Sequence, residues 1–539
     1  MTPPHRRRRP RRAAAYPAVR RASVLGGAVL VAVALAVAAG AARNRTSTGD
    51  LVLPLVAVLA AVAATAYASV RRRRRVATRT TPGGGAPTVV SLDELDRRAG
   101  RLLVETDDCV RTSREELRST AAQLGNEAVE VYAEAVEFAA SELTAAFRAR
   151  QRLDDGEGET RVLLEEIVAR CGAAGRRLDA EAPGFDQIRA LERTARDALE
   201  RAEARFRELA GRMADTDGTL AALRERYPLT VYLPVAGHDE QAKDRLVFAT
   251  TALNGSRQAL DRGETGPAVV QLRAAEAAVD QATILVAGVA RFSSDLTAAT
   301  EQLPAALTDT ESDLREAHEH LGAESARGDL QGRIAHGASV VAEVREEPVG
   351  VGATYGPVGA LRRIEEVAAG LDRALHRVPD GSRALRRLQR VLVVARSTVR
   401  TASDYVTTHR GAVGHEARTR LSEAERRLRA AENTDAPPTP VPADALADAR
   451  EADTLARQAR QLAERDVRAY GTPYGDGLWT GGAVLGGILL DEHRRRGDGP
   501  GHPGDGGPAS YGGPGTRGRR DEGELFRPTG PESPPPEGP

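Results

Sequence analysis

Few residues in this chain sit at spacings that chemistry uses. The nearest approach to a metal site is His318 and His320 in EAHEH. On a helix, positions two apart point away from each other, whereas imidazoles sharing a metal need a spacing of three or four. Gly350, Gly352 and Gly356 in GVGATYG miss the spacing of a dinucleotide loop, and no strand pattern precedes them. A turn between helices accounts for them. No phosphate-binding P-loop occurs. Glu165/Glu166 and Glu346/Glu347 pair carboxylates as acid–base catalysis does, but in such charged stretches they read as solvated helix faces. Cys109 and Cys171 lack the spacing of a zinc or redox site and have no nearby His, so they read as buried, reduced thiols. His409 and His415 flank Gly411 and Gly414 in THRGAVGHEAR, which reads as a helix break. Asn44-Arg45-Thr46 matches a glycosylation acceptor, but its place beside an apolar run argues against its use. The expectation is therefore no catalytic residue, no cofactor and no metal.

The elements that would position any site must be helical. Aromatics make up 3% of the 539 residues, with one Trp (Trp479) and two Met (Met1, Met213), too few for conventional aromatic-rich cores. Ala, Leu and Val mixed with Arg, Glu and Asp at helical periodicity point to long helices and coiled coils. The net charge is zero, with 76 basic and 76 acidic residues, yet the distribution is uneven. Residues 1–80 hold sixteen Arg and one acid, Asp50. The acidic remainder excludes nucleic acid as an expected partner, because that role needs a basic footprint.

Two uncharged runs dominate the N-terminal part: residues 23–42 (SVLGGAVLVAVALAVAAGAA) and 51–70 (LVLPLVAVLAAVAATAYASV). As a helix each would rise about 30 Å, the hydrocarbon thickness of a bilayer. Residues 43–50 (RNRTSTGD) allow only a tight turn, so the pair is expected to form a transmembrane hairpin. Residues 1–22 form a basic arm, and Arg71, Arg72, Arg73, Arg74 and Arg75 follow the second run at once. The positive-inside rule then places both termini in the cytoplasm of a multi-pass plasma-membrane protein, with membrane lipids as partners. Residues 23–42 also fit a signal peptide, though the apolar run is long for that role. Residues 71–90 read as a basic, flexible linker with Pro82 and Pro87.

From Ser91 onward the pattern is helical. SLDEL fits a capping box, with Ser91 as N-cap and Glu94 three positions on. Over residues 91–227 two seams step by three and four: Leu117, Ala121, Leu124, Ala128, Val131, Ala135, Phe138, and then Ile188, Leu191, Ala195, Leu199, Ala202, Phe206, Leu209, Met213. Breaks are expected at Gly156/Gly158 and at Pro183/Gly184. Residues 228–470 carry an internal repeat at an offset of 175, which brings Arg245 onto Arg420, Leu246 onto Leu421, Ala249 onto Ala424 and Leu253 onto Leu428. It also brings Pro267 onto Pro442 and Glu276 onto Glu451, and a weaker copy begins at Gly356. Each unit reads as helix, Gly/Pro turn, helix, and such units stack because one hairpin cannot bury its own apolar face. A third seam runs through Leu385, Leu388, Leu392, Ala395, Val399, Ala402 and Val406. Residues 471–539 read as a Gly/Pro-rich disordered tail. Within it GLWTGGAVLGGILL is too short for a comfortable span, and Trp479 suits a membrane interface.

Several stretches resemble the cytoplasmic region of actinobacterial TPM-domain membrane proteins: LVETDDCVRTSREEL (103–117), ELTAAFRARQRLDD (142–155), LLEEIVARCGAAGRRLDAE (163–181), FDQIRALERTARDAL (185–199), QAKDRLVFA, TTHRGAVGHEARTRLSEA and GGAVLGGILL. The resemblance spans roughly residues 91–490. It implies a helical array beside a membrane anchor. The TPM domain itself has no counterpart, since only residues 43–50 lie where it would be, so its activity does not carry over. The expectation is an all-α membrane protein: a hairpin, then coiled-coil-like helices and stacked helical hairpins, with disordered termini. Its expected role is a non-catalytic scaffold for cytoplasmic protein partners or further copies of itself. The alternative is a lipid-surface or envelope-stress protein.

Overall fold

The computed structural model describes residues 90–189, 191–321, 327–346, 355–375, 381–432, 443–471 and 510–516. Among these the regular structure is helical: α1 (Leu92–Leu124), α2 (Glu130–Asp154), α3 (Thr160–Arg189), α4 (Leu191–Gly211), α5 (Met213–Arg226), α6 (Leu229–Tyr232), α7 (His238–Asp261), α8 (Thr265–Leu321), α9 (Arg327–Glu346), α10 (Pro357–Ala374), α11 (Gly381–Thr408), α12 (His415–Glu432) and α13 (Ala443–Gly471).

Local sequence sets the ends of these helices. The Ser91 hydroxyl accepts a hydrogen bond from the Glu94 N–H at 3.2 Å, and Asp93 and Glu94 place negative charge at the positive end of α1. Gly125 ends α1 at φ +87°, its N–H bonded to the Ala121 carbonyl. Gly156 and Gly158, at φ +75° and +80°, make the turn between α2 and α3 as their spacing predicts. Pro183 does not break α3, which continues to Arg189. A helix-interior proline removes the N–H that would bond the carbonyl four residues back, here Asp179.

α1, α2 and α3 close a first core containing Leu103, Leu143, Phe147, Leu164, Ile167, Leu178 and Phe185. Each such buried side chain contributes roughly 1.5–3 kcal/mol. The first expected seam is largely absent from this core. Leu124, Val131 and Phe138 are exposed, because the break at Gly125 turns the register and Val136, Ala139, Ala140, Leu143 and Phe147 face inward instead. The second seam is buried at Ala195, Leu199, Ala202, Leu209 and Met213, where α4 and α5 meet α7 and α8. The third is buried from Leu388 to Val406, with Leu385 at its margin.

The repeat is visible as two hairpins, α7–α8 and α12–α13. Leu246, Ala249 and Leu253 are buried, and so are Leu421, Ala424 and Leu428. The polar matches diverge: Arg245 is fully buried, whereas Arg420 pairs with Asp154 and Asp155 at the margin of α2. α13 presents Ala445, Ala449, Ala452, Ala456, Ala459 and Ala463, stepping by four and three, and small side chains let the paired backbones approach closely. Residues 510–516, which the sequence places in the disordered tail, contribute to the first core through Tyr511.

The membrane expectation does not survive. No helix among the described residues is long and apolar enough to cross a bilayer. Even α8, at 57 residues, carries Arg273, Glu276, Asp280, Arg291 and Asp295 through its apolar middle. The transmembrane hairpin at 23–42 and 51–70, the anchor at Arg71, Arg72, Arg73, Arg74 and Arg75, and Trp479 lie outside the described residues. The integral-membrane function, the multi-pass localisation with cytoplasmic termini, the lipid partners and the lipid-surface alternative all rested on those segments, and they are set aside.

Candidate functional site

Three of the motif-bearing stretches converge on one place. α1 brings the 103–117 stretch, α7 brings QAKDRLVFA, and the turn between α11 and α12 brings THRGAVGHEAR. The centre is Arg418, whose side chain is 1% exposed. One terminal nitrogen donates to Asp107 and to Asp108, both at 2.7 Å. The other terminal nitrogen donates to the Arg410 carbonyl and Nε to the Val413 carbonyl, so the same guanidinium fastens the 409–414 turn. A rigid fork with five donors suits this geometry, and lysine could not reproduce it.

Neighbouring pairs extend the node. Arg111 Nε lies 3.1 Å from both Asp107 carboxylate oxygens and its Nη1 donates to Thr407 Oγ1 at 3.0 Å. Arg410 pairs with Glu115 at 3.2 Å. Burial pushes the Asp107 carboxyl up, but Arg111 and Arg418 outweigh it and hold the group below the usual carboxylate range. Gly100 of α1 lets His415 pack against the helix, since an added Cβ would lie 2.6 Å from the His415 ring. The Gly414 N–H donates to Asp466 of α13 at 3.0 Å.

On the α7 side, Arg245 is fully buried and its partners are neutral. It donates to Gln281 Oε1 at 3.1 Å, to the Gln241 carbonyl at 2.9 Å and, at the long limit of 3.5 Å, to the Thr408 carbonyl. Thr408 is the last residue of α11, so the negative end of that helix dipole faces the guanidinium. Burial still lowers the Arg245 pKa to about 10. His409 stacks on Tyr405 at 4.3 Å and donates from Nδ1 to the Tyr405 carbonyl at 3.0 Å. His238 donates likewise to the Leu285 carbonyl at 3.2 Å. Burial pushes both imidazoles down to about 4, so both are neutral at pH 7.

This arrangement binds helices to one another. Similar buried arginines recur elsewhere: Arg387 with Asp313 and Asp372, Arg390 with Glu365 and Asp309, and Arg189 with Glu116 and Glu276. A polar cleft of about 180 Å³ opens beside the node, lined by Arg111, Arg114, Glu425 and Arg429 among others. Both signs of charge line it, together with the hydroxyl-bearing side chains Thr144 and Ser422. Cys109 and Cys171 are buried and not joined in a disulfide, and burial pushes the Cys171 thiol up to about 11. His318 and His320 lie exposed at the end of α8. Among the described residues no group of three or more His, Cys, Asp or Glu could hold a metal ion. Sequence reasoning passed over Asp107, Asp108, Arg410 and Arg418 as individuals.

Fold and site together define a many-helix array closed by buried arginine–carboxylate pairs. The chain is similar to the UPF0603 protein MT2410 of Mycobacterium tuberculosis (strain CDC 1551 / Oshkosh) and to the UPF0603 protein Rv2345 of Mycobacterium tuberculosis (strain ATCC 25618 / H37Rv). Identity is 32% over 423 residues in each case, covering 76% of this chain and 63% of the relative. The chain thus spans less than two thirds of the length of the curated relatives it matches, and their names state no activity. No family model matches the chain, and no solved structure matches it.

Proposed function

We propose that this chain is a non-catalytic helical scaffold, a rigid frame that presents surfaces to protein partners or to further copies of itself. The observation that carries this reading is the fate of the motif residues. Asp107, Asp108, Arg111, Arg410 and Arg418 are all engaged in holding α1 against the α11–α12 turn, including Asp107, Arg111 and Arg418, which also line the polar cleft beside it. Apolar side chains remain uncovered on the same frame: Leu124, Val131 and Phe138 at the α1–α2 corner and Val247 on α7. The resemblance to the helical region of TPM-domain proteins supports the same reading, and TPM chemistry is no part of it.

Site-specific photo-crosslinking tests it. The full chain carries a photoreactive residue at position 138, at position 247, or at Arg148, an exposed charged control. Discrete protein adducts at 138 or 247 and none at 148 are expected. Absence of adducts at all three positions, in cells and for the purified chain with itself, overturns the reading.

A further inference from the structure

Residues 510–516 (SYGGPGT) lie in a groove that fits them closely. The Tyr511 ring is fully buried, stacked on Phe185 at 4.3 Å and edge-on to Tyr132 at 6.1 Å. Tyr132 and Phe185 also meet edge to face at 5.4 Å, so three rings close on one another. The Tyr511 hydroxyl reaches the floor of the pocket and donates to the Tyr132 carbonyl at 3.1 Å. A phenylalanine would lose that hydrogen bond.

The next residues are read through their backbone. The Gly512 N–H donates to the buried Ser113 hydroxyl at 3.2 Å. The Asp179 carboxylate then accepts the N–H groups of Gly513 at 3.0 Å, Gly515 at 3.1 Å and Thr516 at 2.7 Å, and the Thr516 hydroxyl at 2.7 Å. Hydrogen bonds to an ionised acceptor are about twice as strong as neutral ones. Sterics narrow the sequence further. Gly512 has φ +135°, and a Cβ on Gly513 would run into the Gly175 carbonyl. Gly175 is itself a notch, because a Cβ there would come within 2.9 Å of Pro514.

We propose that the α1–α2–α3 groove is a peptide-recognition site for a Tyr-Gly-Gly-Pro-Gly-Thr sequence, and that its resident occupant is residues 510–516 of the same chain, held as a releasable clasp. Each contact matches a feature of that sequence: a hydroxyl-tipped ring for the pocket, glycines where side chains collide, and successive N–H groups for one carboxylate. The clasp covers Phe185, which its departure would expose. This inference stands apart from the scaffold reading, since it concerns only the first three helices and the tail.

The test uses the full chain and a labelled synthetic peptide of residues 508–518 (PASYGGPGTRG). The Tyr511→Ala chain, whose own clasp is impaired, should bind the peptide saturably. The unaltered chain should bind it at least about tenfold more weakly, because its tethered segment competes at an effective concentration near millimolar. Asp179→Ala added to Tyr511→Ala should abolish binding, and a peptide of residues 470–477 (YGTPYGDG), which has Tyr-Gly pairs but no Gly-Pro-Gly-Thr, should not bind. Hydrogen exchange supplies the second readout: in the unaltered chain the amides of Gly512, Gly513, Gly515 and Thr516 should exchange at least about tenfold more slowly than in Asp179→Ala. Equal exchange in the two chains, or no peptide binding to Tyr511→Ala, overturns the proposal. If mixing Tyr511→Ala and Asp179→Ala chains restores protection, the clasp passes between copies and the same-chain assignment falls.

Discussion

Arg418 on α12 and Asp107 on α1 meet at 2.7 Å across 311 positions of sequence, and both side chains are buried. Removing one partner of a buried ion pair leaves an uncompensated charge, which costs far more than the pair contributes as a pair. Arg418→Met should therefore lower the unfolding free energy in urea by about 3–5 kcal/mol. Adding Asp108→Leu should recover part of that loss, because Arg111 still neutralises Asp107. A loss below about 1 kcal/mol for Arg418→Met would show that the node is dispensable to the fold.

Acid sensitivity should track the buried imidazoles. His409 falls from 6.5 to about 4 on folding, chiefly because burial disfavours its charged form. Between those values the unfolded chain binds a proton that the folded chain does not. The contribution of His409 is complete above pH 6.5 and is lost as pH falls toward 4. His238 acts in the same direction, while Asp280, raised by burial to about 6, opposes them as pH falls. Comparison of variants separates these contributions. Between pH 7 and pH 4.5, His409→Gln should lose about 2 kcal/mol less stability than the unaltered chain in urea titrations. Identical pH profiles would refute the assignment.

The two repeat hairpins should fail independently. Leu246 and Leu421 occupy matched positions but lie in separate apolar clusters. Leu246→Ala and Leu421→Ala should each cost about 2–5 kcal/mol. Their effects in the double variant should add within about 0.5 kcal/mol, as expected for sites without shared partners. An interaction energy above about 1 kcal/mol would mean that the hairpins share one core.

Gly100 offers a test in which propensity and packing disagree. On an exposed helix, Gly→Ala gains about 1 kcal/mol. Here the added methyl would collide with the His415 ring, so Gly100→Ala should destabilise the protein. His415→Ala in the same chain should convert that loss into a gain, read as opposite shifts of the thermal midpoint. A stabilised single variant would contradict the close approach.

Much of the helical layout is legible in the chain. The Ser91 cap, the Gly156/Gly158 turn, the seams of α4–α5 and α11 and the shared apolar positions of the repeat follow from local chemistry and periodicity. The seam through Leu124, Val131 and Phe138 misled, because a step of three and four holds its face only within one unbroken helix and Gly125 interrupts it. Pro183 misled in the other direction, since a proline within a well-packed helix need not end it. The membrane assignment was drawn from composition in residues 23–75, and the helices described supply no span to support it. The charge node was illegible for another reason. Asp107 and Arg418 look like ordinary surface residues until tertiary structure brings them together, and no local rule encodes contacts over such separations.

The length of the loop that the Arg418–Asp107 contact closes also bears on biosynthesis. Asp107 is made 311 positions before its partner, an interval on the order of tens of seconds at ordinary translation rates. Until Arg418 emerges, α1 carries two adjacent carboxylates that would be costly to bury with only Arg111 at hand. A nascent chain therefore keeps that face hydrated while α2 and α3 assemble beside it. Messages cut short before the α12 codons would yield products unable to seal this face, open to proteases that spare the finished molecule.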